Sequence, residues 1–122
     1  MKTSSSKQKA RLLQQLVRDK FTEMLKPFGI VAEDIKSTPM GVSGVDVQLS
    51  PLAKSFLPVS TECKSHKSMA IYKLYEQAQE AAGVDEEPLL VVKANHKKPL
   101  AVVDLDYYIK LEWSRIMQEN SK

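Results

Sequence analysis

Three features of the sequence predict an α/β (α+β) protein in the order αβββαββα, with a mixed central sheet flanked by helices. Helical apolar periodicity recurs over residues 7–26, 69–82 and 105–118. Two-residue alternation marks residues 45–49 and 59–64, and clusters of Gly, Pro and Ser separate the runs. The 122 residues suffice for one domain with a core of its own but not for two. Residues 1–6 are Ser-rich and read as a flexible tail, leaving 7–122 as a single domain.

The first helix places Leu13, Val17, Phe21, Met24 and Leu25 on one face and stops at Pro27, with Gly29 just beyond. Residues 30–37 can form a strand, after which Pro39 to Gly44 supply turn chemistry. In the alternating run that follows, Val45, Val47 and Leu49 point one way while Asp46 and Gln48 point the other. Ser50 and Pro51 suit the cap and first position of a short helical turn. Within residues 59–64, Thr61 and Cys63 share one face, and Glu62 and Lys64 the opposite one.

Ser68 is placed to cap the middle helix, whose stripe is Ile71, Leu74, Tyr75 and Ala78 and which Gly83 ends. Residues 89–94 and 100–103 are β-rich, and His96-Lys97-Lys98 between them predicts a hairpin. The last helix carries Tyr108, Ile109, Leu111, Trp113 and Ile116. Its aromatics, with Tyr107, read as core or interface residues.

Composition narrows the classes. With 43% hydrophobic and 27% charged residues, the chain has neither disordered, collagen-like nor coiled-coil composition. One cysteine forms no internal disulfide, and with two histidines it is a poor ligand supply for structural zinc. There is no apolar signal segment and no apolar run near the roughly 20 residues of a membrane helix, so the expected compartment is the cytoplasm. The net charge of +3 is uneven: six basic residues face only Asp19 within the first twenty positions. That basic arm suits a phosphate backbone as well as a solvated tail.

Pairing the two central strands brings Asp46, Glu62 and Lys64 to one face of the sheet. Two neighbouring carboxylates are unfavourable without a proton or cation between them, and hard oxygen donors without thiolate or imidazole favour Mg²⁺ or Mn²⁺.

The sequence Gly44-Val45-Asp46-Val47, a spacer and Glu62-Cys63-Lys64 resembles the Asp…Glu-x-Lys signature of the PD-(D/E)xK, or restriction-endonuclease-like, nuclease superfamily. The resemblance spans most of the chain, since the elements follow that family's αβββαβ core order. Within the superfamily it is nearest to archaeal-type Holliday-junction resolvases and small phage-encoded nucleases. There, a Gly/Ser-rich turn precedes the aspartate strand, and Glu-x-Lys-Ser leads to a helix bearing a glutamine. Here these are Gly41 to Gly44 with Ser43, then Ser65 and Gln77. Val45 stands where the family commonly has proline, and the family's first-helix acid falls on Glu23, with Asp19 as the substitute.

The resemblance implies metal-assisted phosphodiester hydrolysis. Asp46, Glu62 and the Cys63 carbonyl would hold Mg²⁺, with Mn²⁺ substituting. Lys64 would orient water and offset charge on the phosphorane, and Gln77 and Glu23 would assist. Lys7, Lys9, Arg11, Ser43, Ser65 and Lys67 would contact DNA, branched or junction DNA in particular. A two-fold homodimer would present two sites to two strands. A non-catalytic DNA-binding or assembly protein and a nicking or restriction-type nuclease on duplex DNA are the alternatives. Cys63 itself reads as core, while His66 and His96, 30 residues apart, read as surface groups or phosphate contacts rather than zinc ligands.

Overall fold

The computed structural model describes residues 2–65 and 70–120. Two short 3₁₀ turns aside, the described residues form α1 (Lys2–Leu25), β1 (Ile35–Ser37), β2 (Val47–Leu49), α2 (Pro51–Phe56), β3 (Val59–Ser65), α3 (Ile71–Ala81), β4 (Glu87–Lys93), β5 (Leu100–Val102) and α4 (Leu105–Asn120). The five strands form one mixed sheet in the order β1-β2-β3-β4-β5. β3 and β4 run parallel from Val59↔Glu87 to Ser65↔Lys93, and the other neighbours are antiparallel. A parallel pair needs a crossover, and α3 supplies it.

Strand alternation sets what lies on each face. Leu13, Val17 and Leu25 of α1 join Ile35, Val47, Cys63 and Val91 in one buried cluster, so α1 covers the face that Cys63 and Val91 share. Leu90 and Val92 point the other way and are buried, and α3 packs on β3 and β4 with Ala78 buried. The sheet is therefore flanked by helices on both sides, and Glu62 and Lys64, opposite Cys63, belong to the α3 side. Ser37 Oγ donates to Gln14 Oε1 at 2.9 Å and pins α1 to β1.

Several boundaries differ from expectation. α1 starts at Lys2 rather than residue 7, so the segment expected as a tail is helical from its second residue; Ser4 to Ser6 contain neither Gly nor Pro to stop the ladder. Only Ile35–Ser37 of the first expected strand pairs. Residues 32–34 instead make a 3₁₀ turn, because Asp34 Oδ2 accepts the Val31 N–H (2.9 Å) and its Oδ1 accepts the Ser50 hydroxyl (2.8 Å). Ser50 caps α2 as expected, its Oγ accepting from the Ala53 N–H at 3.1 Å. The expected Ser68 cap lies outside the described residues. The β4–β5 hairpin forms as predicted, its turn placing His96 at φ 62°.

α4 forms where the last helix was expected. Asp104 caps it, with Oδ2 accepting the Tyr107 N–H at 3.1 Å; of the core or interface places expected for its aromatics, Tyr108 and Trp113 do not take the core, being exposed, and Tyr107 is half-buried. Among the described residues no helix is long and apolar enough to cross a membrane.

Thr61 is 1% exposed and its hydroxyl has no hydrogen-bond partner among the described residues. Removing an unpaired buried hydroxyl at constant shape relieves a desolvation cost. Thr61→Val should therefore raise stability by about 1 kcal/mol, read from the urea midpoint; a loss of stability would contradict this account.

Candidate active site

Asp46 stands one residue ahead of β2, where that strand parts from β3. Its N–H donates to the Thr61 carbonyl (3.1 Å) and its carbonyl accepts the Thr38 N–H (2.9 Å). Thr38 is 3% exposed. Its hydroxyl donates to the Val45 carbonyl and accepts from Gln48 Nε2 at 3.0 Å. One buried side chain thus holds the backbone on both sides of Asp46. The turn between Thr38 and Asp46 needs Gly41 and Gly44, at φ 83° and 116°, a region that side chains with a Cβ rarely enter.

Where the ladder ends, the Asp46 carboxylate takes over, Oδ2 accepting the Cys63 N–H at 2.8 Å. In a strand, the N–H and C=O of one residue point the same way and successive residues alternate between neighbours. Thr61 and Cys63 therefore both turn toward β2, and the Cys63 carbonyl faces the same opening as the Asp46 carboxylate. Glu62 lies beside it, with Oε2 3.2 Å from Lys64 Nζ and both side chains largely covered.

Burial is the main cause that raises the Asp46 carboxyl above its ordinary value; the Cys63 N–H and Lys64 oppose it. Burial also raises Glu62, the Asp46 charge adds to this, and Lys64 offsets part of it. The Cys63 thiol is pushed up to about 12, chiefly by burial and then by the two carboxylates. It is buried on the α1 side and is not a nucleophile.

The structure thus brings Asp46, Glu62 and Lys64 together, with the Cys63 backbone between them. Gln77 is exposed on α3, in the same layer, but takes no part in the hydrogen bonds that hold the trio. Glu23 is exposed on α1, which covers the opposite face of the sheet, and is not among the charges acting on Asp46 or Glu62. Asp19 pairs with Arg18 at 2.9 Å. Neither first-helix acid reaches the trio; helical phase turns both away from the sheet. The α1 polar side chain that does reach the sheet is Gln14, 5% exposed. A polar residue inside an apolar stripe was the available signal for it; Thr38 left none beyond its place before Pro39.

Of the expected nucleic-acid contacts, Lys7, Arg11 and Ser43 are exposed, Lys7 and Arg11 one turn apart on α1. Lys67 lies outside the described residues, as does His66. Lys9 and Ser65 come together with Lys93 and Asn95, neither of which the sequence had marked, in a cavity of about 190 Å³. Lys9 Nζ donates to Asn95 Oδ1 at 2.9 Å. This cavity includes Leu12, Leu13 and Leu16 of α1 and so lies on the face away from Glu62 and Lys64.

Among the described residues no three His, Cys, Asp or Glu side chains converge as a metal cage. A divalent ion here would take two carboxylates and the Cys63 carbonyl, and would complete its shell with water or phosphate oxygens. That is how Mg²⁺ is usually held, and all the donors are hard oxygens. The donor set fits the expected ion. No protein-family model matches the chain, and neither does any curated protein or solved structure.

Two outcomes follow. The carboxyl pKa values are raised above the ordinary 3.8 and 4.5, so the folded state binds more protons than the unfolded chain, and stability falls as pH rises through the raised values. Glu62→Gln cannot ionise. It should melt above the wild type at pH 7, with the gap closing as pH falls to about 4; a lower melting temperature at pH 7 would contradict the assigned burial cost. Thr38→Val leaves the Val45 carbonyl and the Gln48 amide without the hydroxyl and should cost about 1–2 kcal/mol in chemical denaturation.

Proposed function

We propose that the chain is a Mg²⁺-dependent endodeoxyribonuclease of the restriction-endonuclease-like kind, acting on branched DNA as a homodimer in the cytoplasm. The observation that carries this reading is the gathering of Asp46, Glu62 and Lys64 where β2 and β3 part, with both carboxyls raised by burial. The order of α1, β1, β2, β3, α3 and β4, with the short α2 inserted before β3, also supports it.

When bound, Mg²⁺ would polarise a phosphate and acidify water. Asp46 and Glu62 would hold it through the oxygens left free by the Cys63 N–H and by Lys64, together with the Cys63 carbonyl. The Lys64 ammonium, largely covered, places positive charge where negative charge would build on the phosphorus oxygens. The Thr38 clamp keeps Asp46 at the strand opening before any ligand arrives, so little ordering is left to the bound state.

The ion pair between Glu62 and Lys64 favours one other reading, a non-catalytic DNA-binding protein, because it neutralises Glu62 without a metal. Four-way junction and linear duplex DNA, incubated with Mg²⁺ or with chelator, separate the two. Metal-dependent cutting is expected, fastest on the junction. Glu62→Ala and Lys64→Ala should each lower it by at least ~100-fold while DNA binding persists. Mg²⁺ should raise the melting temperature of the wild type and not of Glu62→Ala. Binding without cutting under any metal condition would leave the non-catalytic reading; equal rates on linear duplex would move the assignment to a nicking or restriction-type enzyme.

A further inference from the structure

The pair Ser65↔Lys93 closes the parallel part of the sheet, and Asn95 lies just past the end of β4. Against these strand ends α1 lays Lys9, Leu12, Leu13 and Leu16, which share one helical face. In an open sheet, the crevice outside the carboxyl ends of parallel strands is where ligands are commonly received. The cavity here has an apolar wall of three leucines, and each of its four polar side chains can donate a hydrogen bond: two ammonium groups, a hydroxyl and an amide. No carboxylate lines it.

The two ammonium groups are not neutralised. Lys9 Nζ donates to Asn95 Oδ1 at 2.9 Å and Lys93 Nζ to the Ala94 carbonyl at 3.4 Å, both uncharged acceptors. Among the described residues Arg18, Lys54, Lys64 and Arg115 each meet a carboxylate, whereas Lys9 and Lys93 do not. With its oxygen engaged by Lys9, the Asn95 amide presents its Nδ2 end as a donor. A cleft lined by one sign of charge and walled by low-dielectric side chains concentrates its field on an incoming counter-ion.

We propose that this cavity is a binding site for a phosphoryl group, on the sheet face opposite the one where Glu62 and Lys64 stand. Its donors come from three segments of the chain, which suits a tetrahedral oxyanion with oxygens on every side. Lysine acts there as a compact point charge, while a planar carboxylate is matched by the fork of a guanidinium. Neither a guanidinium nor an aromatic ring lines the cavity, so a carboxylate and a stacked base both lack their usual partners. Its volume of about 190 Å³ falls below the ~300–1,000 Å³ of pockets that enclose a whole small molecule. Exposed Lys7 and Arg11 on α1, and Lys97 and Lys98 in the β4–β5 turn, extend the positive charge to either side. Free phosphate, the phosphorylated end of a strand and a backbone phosphodiester offer the same chemistry to it.

The inference does not rest on the hydrolysis proposed above, and its test is run on the full chain with chelator present, so that no metal reaches Asp46 and Glu62. Inorganic phosphate, titrated at constant ionic strength and followed by amide NMR, should shift the Ser65, Lys93 and Asn95 signals saturably. The dissociation constant should be on the order of millimolar, as suits a ligand of few atoms. Lys93→Gln should weaken binding by at least ~10-fold, the loss of one charge-assisted hydrogen bond. Asn95→Asp should do the same by setting a carboxylate between the two lysines, yet melt no lower than the wild type, because the new charge pairs with Lys9. Lys26→Gln, beyond the far end of α1, should leave phosphate binding unchanged.

Two oligonucleotides of one sequence, ending in a phosphate or in a hydroxyl, identify the source. Tighter binding of the phosphorylated one, lost in Asn95→Asp, supports a strand end. Equal binding of both, weakened alike by Asn95→Asp, supports a backbone phosphate, and displacement of phosphate by neither supports the free ion. The proposal is overturned if phosphate leaves these amides unmoved, if acetate shifts them as strongly, or if Lys93→Gln and Asn95→Asp bind phosphate like the wild type. A failed cleavage assay moves none of these results, so the two proposals can fail separately.

Discussion

A carboxylate does the work of a strand at the place where β2 leaves β3. Asp46 Oδ2 accepts the Cys63 N–H at 2.8 Å where a backbone carbonyl would otherwise continue the ladder. The N–H is satisfied, as a covered backbone donor must be, but a half-buried negative charge is placed beside Glu62. Each remaining feature of the site follows from that substitution. The opening exists because pairing stops there, and the Cys63 carbonyl faces it because its own N–H does. The carboxyls are raised because the opening is partly dry and holds two of them.

The arrangement costs stability and is maintained by its surroundings. Thr38 holds the segment around Asp46 through its own N–H and hydroxyl, and glycines at positive φ let the chain turn back tightly enough for that contact. On the far side of β3, Cys63 and Val91 pack beneath α1 in the main buried cluster. A strand with one face locked in the core cannot slip by a residue without turning that face to water. Core packing on the Cys63 side therefore fixes the direction of Glu62 and Lys64 on the other.

Two of the helices that do not cover the trio, α1 and α4, have different standing. α1 is bound to the sheet by its apolar face and by the Gln14–Ser37 hydrogen bond, and it brings Lys9 to Ser65, Lys93 and Asn95 at the ends of the parallel strands. α4 is capped at its start, and its large apolar side chains Leu105, Tyr108, Ile109, Leu111, Trp113 and Met117 stand in solvent.

The periods in the sequence were enough for everything decided within a few residues. Alternation placed Glu62 and Lys64 opposite Cys63, Ser50-Pro51 marked the start of α2, and the order of helices and strands could be read because each depends on backbone geometry and nearest neighbours. Contacts between distant segments depended on the tertiary structure. Asp46 meets the Cys63 backbone 17 residues away and Lys9 meets Asn95 across 86, and no local pattern encodes such a register. The resemblance put the first-helix acid at Glu23, but α1 turns that residue to solvent and lays Gln14 against β1, on the sheet face opposite Glu62 and Lys64. The apolar face of α4 was legible from its sequence; whether the core or the solvent would receive it was not, because that depends on how much sheet remains uncovered after α1 and α3 have packed.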